Sequence, residues 1–416
     1  MALIVQKYGG SSLGTLERIN HVASRIVKTK QQGHDLVVVV SAMQGETDRL
    51  IKLAQALSPD PNTREYDVLL ATGEQVSMAL LSIALNMNKC PSRSYTGQQI
   101  GILTDHLHTK ARILDVKPHT IQQDLAAGYV VIVAGFQGVN ARGDITTLGR
   151  GGSDTTAVAI AAALQANECQ IYTDVEGVFT TDPRMIPQAS ILTHISFEEM
   201  LEMASLGAKV LQMRSVELAS KHNMPIRVLS TFSNAPGTLV TFEEKIMQRR
   251  LVSGIAFSRE EAIIAINGVP NRPGMEGYIL SMVSDANIEI DMIAQNATDK
   301  ETADFTFTVQ RKDYPTTLEL VNHLMNEFPN ASIKSNPHVA KLSLVGIGMR
   351  SHTGVASKMF QALGKIGINI QMITTSEIKI SVVLNEEFLE QGVRAVHEAF
   401  ELDKLTPEKQ QVFMEI

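Results

Sequence analysis

Lys7-Tyr8-Gly9-Gly10-Ser11-Ser12-Leu13-Gly14 stands between a short apolar run, Leu3 to Val5, and a segment of helical periodicity, Leu16 to Lys30. A strand, a glycine loop and a helix in that order bring flexible backbone to a helix N-terminus, where unpaired N–H groups and the helix dipole favour an anion. The lysine precedes the glycines and no G-x-x-x-x-G-K-[ST] occurs, so this is not a Walker loop. A tight structural turn would use the same glycines.

Working outward, Leu36–Val40, Tyr129–Val133, Cys169–Tyr172 and Ile226–Leu229 are further β-branched apolar runs separated by helix-like segments, which predicts an α/β fold with a mainly parallel sheet. In the first helix Leu16, Ile19, Ala23, Ile26 and Val27 fall on one face, with Arg18, Arg25 and Lys28 largely opposite. The most apolar stretch, Val68 to Leu85, contains Glu74 and Gln75 and is expected to be a buried helix rather than a membrane span.

Two more loops carry chemistry. Leu148-Gly149-Arg150-Gly151-Gly152-Ser153-Asp154 again opens an apolar helix and adds an arginine able to grip a carboxylate with two parallel bonds; a hairpin end with an Asp cap would look alike. Thr173-Asp174-Val175 through Asp182-Pro183-Arg184 leaves a strand at the edge where open α/β sheets bind ligands, although an ordinary polar turn has the same composition. His106 and His108 flank a strand end, read as polar residues at the pocket rim, and nothing gives them metal spacing.

Around Pro236-Gly237-Thr238 the pattern changes, and residues 246–253 are expected to link a catalytic domain, residues 1–245, to a second architecture beginning near Gly254. There Gly274, Ile290, Met292 and Ile293 recur as Gly354, Ile370, Met372 and Ile373, an internal repeat that predicts two βαββαβ modules, residues 254–335 and 336–416. A helix is expected from about Gly277 to Ala286.

With 416 residues, 44% hydrophobic and 19% charged, the chain is globular and long enough for two or three domains. A net charge of −7 provides no field for capturing nucleic acid or an anionic membrane. Cys90 and Cys169 match no metal or redox spacing, and Met1 to Lys7 show no leader pattern, so a reducing, cytoplasmic setting is expected.

Together the three loops, with Thr72-Gly73-Glu74, resemble the amino acid kinase family, specifically its aspartate-phosphorylating branch, and the repeated C-terminal modules resemble paired ACT domains. The resemblance implies an amino acid kinase-like sandwich followed by two ferredoxin-like α+β modules. It implies transfer of a phosphoryl group from ATP, with Mg2+ held mainly through the phosphates, to the side chain of L-aspartate, opening lysine, threonine and methionine synthesis. Lys7, Asp154 and Lys209 would be catalytic, with Gly9 and Gly10 offering N–H groups to phosphate. Ser41, Thr47, Glu74, Arg150 and Ser153 would hold aspartate, Glu74 at its ammonium and Arg150 at its α-carboxylate. Thr173, Asp174, Phe179, Arg184, Lys7 and Lys209 would hold the nucleotide, Phe179 standing where the family commonly has tyrosine. Lysine or threonine would bind Asn271, Gly274, Gln295, Asn296, Thr374, Thr375 and Ser376, with Asn271 replacing a common acidic residue. A homodimer or larger oligomer through the ACT-like modules is expected. The competing expectations are a kinase for another small carboxylate and an effector sensor whose kinase half only binds nucleotide.

Overall fold

A computed structural model of the chain describes residues 2–208, 210–246, 251–297 and 301–404. It divides into two compact units: Met1–Phe179, Ile191–Ser205 and Lys209–Met247 form one, and Thr180–Ser190, Leu206–Ala208 and Gln248–Ile416 the other.

The first unit runs β1 (Leu3–Tyr8), α1 (Leu16–Gln31), β2 (Asp35–Val40), α2 (Glu46–Leu57), α3 (Thr63–Met87), β3 (Ser92–Tyr95), β4 (Ile102–Thr104), β5 (Ile113–Val116), α4 (His119–Ala126), β6 (Val130–Ala134), β7 (Gln137–Val139) and β8 (Ile145–Thr147). It continues with α5 (Gly152–Ala163), β9 (Glu168–Thr173), β10 (His194–Ser196), α6 (Phe197–Ser205), α7 (Met213–Lys221), β11 (Ile226–Ser230) and β12 (Thr238–Thr241). An eight-stranded sheet in the order β10-β12-β11-β9-β1-β2-β6-β3 is parallel throughout except at β11–β12. A smaller sheet has the order β5-β4-β7-β8.

Alternate strand residues explain the layers. Ile4, Tyr8, Leu36, Val38, Val40, Val130 and Ile132 share one core with Ile19, Val22, Ala23 and Ile26 of α1 and Leu81 and Leu85 of α3. The other face meets α5, which contacts β1, β2 and β9. Because both faces are covered, these strands read as continuous apolar runs rather than alternating ones. Each large aliphatic side chain so buried contributes on the order of 2 kcal/mol.

The helical face of α1 differs from expectation at two positions. Leu16, at the first turn, is 60% exposed, and Val22, which the face omitted, is fully buried. The apolar stretch around Glu74 is one unbroken helix, α3, long and apolar enough to cross a membrane, with half of its most apolar window buried in this fold.

The second unit contains β13 (Gly254–Pro270), α8 (Met275–Asp285), β14 (Ile290–Ala297), β15 (Thr302–Gln310), α9 (Tyr314–Leu324), β16 (Ser332–Val345), α10 (Val355–Lys365), β17 (Met372–Thr375), β18 (Lys379–Asn385) and α11 (Leu389–Ala399). They form one six-stranded sheet, β14-β15-β13-β16-β18-β17, with two helix-bearing cores. The repeat shows in the backbone: Gly274 and Gly354 both have φ near +91°, one residue before α8 and α10. α8 therefore begins two residues before the expected Gly277.

The long strands serve both cores. Ile255 belongs to the core of the later residues, while Ile264 and Ile266 belong to the earlier one, and β16 is divided likewise. The expected division at 335/336 falls inside β16. Val252, expected in a linker, is buried against Leu342 and Ile380 in the same core.

Candidate functional site

The pocket forms where β1, β2 and β6 end and α5 begins, all within the first unit. It encloses about 380 Å³ and is lined by Lys7, Gly10, Ser41, Thr47, Glu74, Ser153 and Asp154, among others. Ligands in open α/β sheets bind at this carboxyl edge of the strands.

Lys7 lies one residue before the end of β1, and its ammonium is 2.6 Å from Asp154 Oδ1. The contact is one of charge, and Oδ1 has no hydrogen-bond partner among the described residues. Asp154 sits in the first turn of α5, where the helix dipole favours a negative charge. Both side chains are close to 90% buried, which strengthens the attraction over that of a surface pair.

Gly10 is needed for close approach, because a Cβ there would stand 2.9 Å from the Ala42 carbonyl. Gly9 differs from expectation: its N–H donates to the Tyr172 carbonyl at 3.3 Å, leaving Gly10 as the glycine of this loop that lines the pocket. Tyr8 and Tyr172 stack with ring centroids 4.7 Å apart beneath the loop.

Glu74 enters from α3. One carboxylate oxygen accepts the Ala42 N–H at 3.1 Å, while the other is buried with no partner among the described residues. Burial raises its pKa from the usual carboxylate range to about 7, against the lowering effect of the Ala42 bond. A buried carboxylate oxygen left unpaired at a pocket wall is a strong acceptor waiting for a cation.

Arg150 is exposed on the loop between β8 and α5, one residue before Gly151, which lines the pocket. Of the nucleotide residues, Thr173 Oγ1 donates to Asp174 Oδ1 at 3.0 Å, and Phe179 forms an isolated bridge with Ile191. Arg184 belongs to the second unit, is 87% exposed, and pairs with Asp182 at 2.7 Å. Lys209 lies outside the described residues.

In the second unit, Thr375 and Ser376 line a cavity of about 490 Å³ with Arg350, His352 and Gly354 at the start of α10. Asn271 is exposed, and its N–H donates to the Glu301 carbonyl at 2.7 Å. Gln295 donates to Glu276 in the first turn of α8 at 2.8 Å, beside Gly274. Asn296 and Thr374 lie on β14 and β17.

Sequence reasoning missed Gln44, Gly45, Asp48 and Phe136 in the pocket wall. Gly45, with φ of +81° at the start of α2, was the available signal for a third strand-to-helix turn. His108 needs correction: rather than a simple rim residue it contacts the fully buried Asp67 at 2.7 Å.

The family model described as amino acid kinase family matches residues 2–230, and the ACT domain model matches residues 342–400. The aspartokinase of Pseudomonas aeruginosa is 59% identical over 405 residues, 97% of this chain and 98% of that one. The crystal structure of Escherichia coli aspartokinase III with aspartate and ADP matches with a TM-score of 0.78 at 25% identity, covering 95% of this chain and 99% of that one. The same enzyme with lysine and aspartate matches in fold at 0.75 and 24% identity, covering 96% and 99%.

Proposed function

The chain belongs to the aspartokinases of the amino acid kinase family and is an aspartate kinase, and from that premise we propose how its pocket divides the work. The carrying observation is the buried Glu74 oxygen without a partner among the described residues, in a pocket that Lys7 and Asp154 also line.

Glu74 receives the α-ammonium of L-aspartate, and Arg150 takes the α-carboxylate in a bidentate grip that a lysine would not reproduce. Ser41, Thr47 and Ser153 supply hydroxyls around the substrate. The β-carboxylate then attacks the γ-phosphorus of ATP in line, the bond to the β-phosphate oxygen breaks, and 4-phospho-L-aspartate and ADP leave. Lys7 meets the charge that develops on the transferred group, with Asp154 holding its ammonium in place, and Gly10 and the α5 N-terminus present N–H groups from fixed backbone. Magnesium arriving with ATP would neutralise charge on the phosphates; Asp154, already committed to Lys7, fits an ion carried mainly by ATP rather than a protein cage. Thr173, Asp174, Phe179 and Lys209 hold the nucleotide.

The product enters lysine, threonine and methionine synthesis in the cytoplasm, and lysine or threonine binds the ACT-like modules of a dimer or larger oligomer to lower activity. The lysine complex of the E. coli relative supports that reading. ADP formation measured with aspartate, glutamate and N-acetylglutamate in parallel, each with and without lysine and threonine, tests the whole assignment. Turnover is expected with aspartate alone, reduced by an end-product; equal turnover with glutamate would overturn it.

A further inference from the structure

Glu74 is not the only carboxylate that α3 carries inward. Asp67, about two turns earlier on the same face, is fully buried. A charge so placed is tolerated only when its oxygens are satisfied. Here Oδ1 accepts the Thr147 hydroxyl at 2.5 Å, both oxygens accept the Thr109 N–H at 3.1 Å, and Oδ2 is 2.7 Å from His108 Nδ1.

These partners surround the loop that carries Arg150. Thr147 is the last residue of β8, and its carbonyl accepts the Ala111 N–H at 3.0 Å. Thr109 is held at φ of +67°, a left-handed conformation uncommon outside glycine, and its carbonyl stands 3.0 Å from where a Cβ of Gly149 would be. One carboxylate therefore fastens both the strand end and the neighbouring segment against which Gly149 packs. Arg214 holds the Leu148 carbonyl at 3.0 Å as well, but from α7.

We propose that Asp67 is a positioning residue for aspartate recognition: through Thr147 and Thr109 it fixes the Arg150 loop to α3, the same helix that presents Glu74. The two groups that read the substrate's carboxylate and ammonium are thus referenced to one rigid element. The inference rests on the reading of Arg150 given above, and sub-ångström placement of such groups governs binding strongly.

The test is steady-state kinetics on Thr147→Val, Thr147→Ser and Asp67→Asn, on Arg150→Ala, and on Arg150→Ala combined with Thr147→Val. Removing one hydrogen bond to a charged group predicts that Thr147→Val raises the aspartate KM about tenfold, with the ATP KM changed less than about twofold. Thr147→Ser restores the parent value, and Asp67→Asn reproduces the rise. In the Arg150→Ala background Thr147→Val adds nothing further, because the placed group is gone. An unchanged aspartate KM in Thr147→Val and Asp67→Asn, beside a raised one in Arg150→Ala, overturns the positioning role and leaves the pocket reading intact. Fully additive effects, or equal rises for both substrates, reduce Asp67 to a structural group and also overturn it. No effect of Arg150→Ala itself overturns the pocket reading.

Discussion

The two ends of the proposed active site are built differently. At the aspartate end, Lys7, Glu74 and Asp154 come from β1, α3 and α5 and are about 90% buried or more, each held by contacts distant in sequence. At the nucleotide end, Thr173 bonds its chain neighbour Asp174, which is exposed. The first end is organised by the fold before any ligand arrives. The second rests on a bond between chain neighbours near the surface, so substitutions at the first should be the more damaging.

The largest effect is expected at Lys7. Lys7→Ala should lower kcat by about 10²–10³, the usual consequence of removing a fixed donor to transition-state charge. Single-turnover rates check this; a kcat within a few-fold of the parent would remove the glycine loop from the chemistry.

Glu74 should make the ligand-free protein's stability depend on pH. Its folded pKa is about 7 against an ordinary 4.5, so between these values the native state holds a proton that the unfolded chain releases. Stability therefore falls as pH rises through that window, by about 3 kcal/mol. Denaturant titrations at pH 5 and pH 8 should show this loss in the parent, a smaller one with saturating aspartate, and none of this component in Glu74→Gln.

Asp174→Ala should be milder, raising the ATP KM by only a few-fold, because a charged group this exposed adds about 1 kcal/mol or less to any contact it makes with the nucleotide. A loss as large as that of Lys7→Ala would erase the contrast between the ends. The smallest effect is expected at the regulatory site, where Asn271→Asp should move inhibition by lysine or threonine several-fold toward lower concentration by restoring a charge for the effector's ammonium. Superimposable inhibition curves would leave Asn271 as a turn residue.

Sequence pattern carried far where the relevant physics is local. The β-branched runs of β1, β2, β6, β9 and β11 are continuous because helices cover both sheet faces, and each observed strand contains or nearly coincides with its expected run. Both glycine loops were legible because each needs glycine for a physical reason: positive φ at Gly149 and Gly151, and the close approach of the Ala42 carbonyl to Gly10. Non-local relations were not. Asp67 looks like any acid on a helix until Thr147, 80 residues away, meets it. The two halves of β13 have one strand periodicity but join different cores, so no pattern within the strand marks where one module yields to the other. Leu16 fits the apolar stripe of α1 yet lies at its first turn and remains exposed.

In the proposed pocket Glu74 reads the ammonium of aspartate with a carboxylate whose charge the fold disfavours. The most direct test is the aspartate KM measured from pH 6 to 8.5 in the parent and in Glu74→Gln, at saturating ATP. The parent KM is expected to fall as pH rises through about 7, where Glu74 ionises, and the glutamine variant to have a KM about 10- to 100-fold higher, without that fall. A variant that keeps the parent's aspartate KM and its pH profile would contradict that role of Glu74.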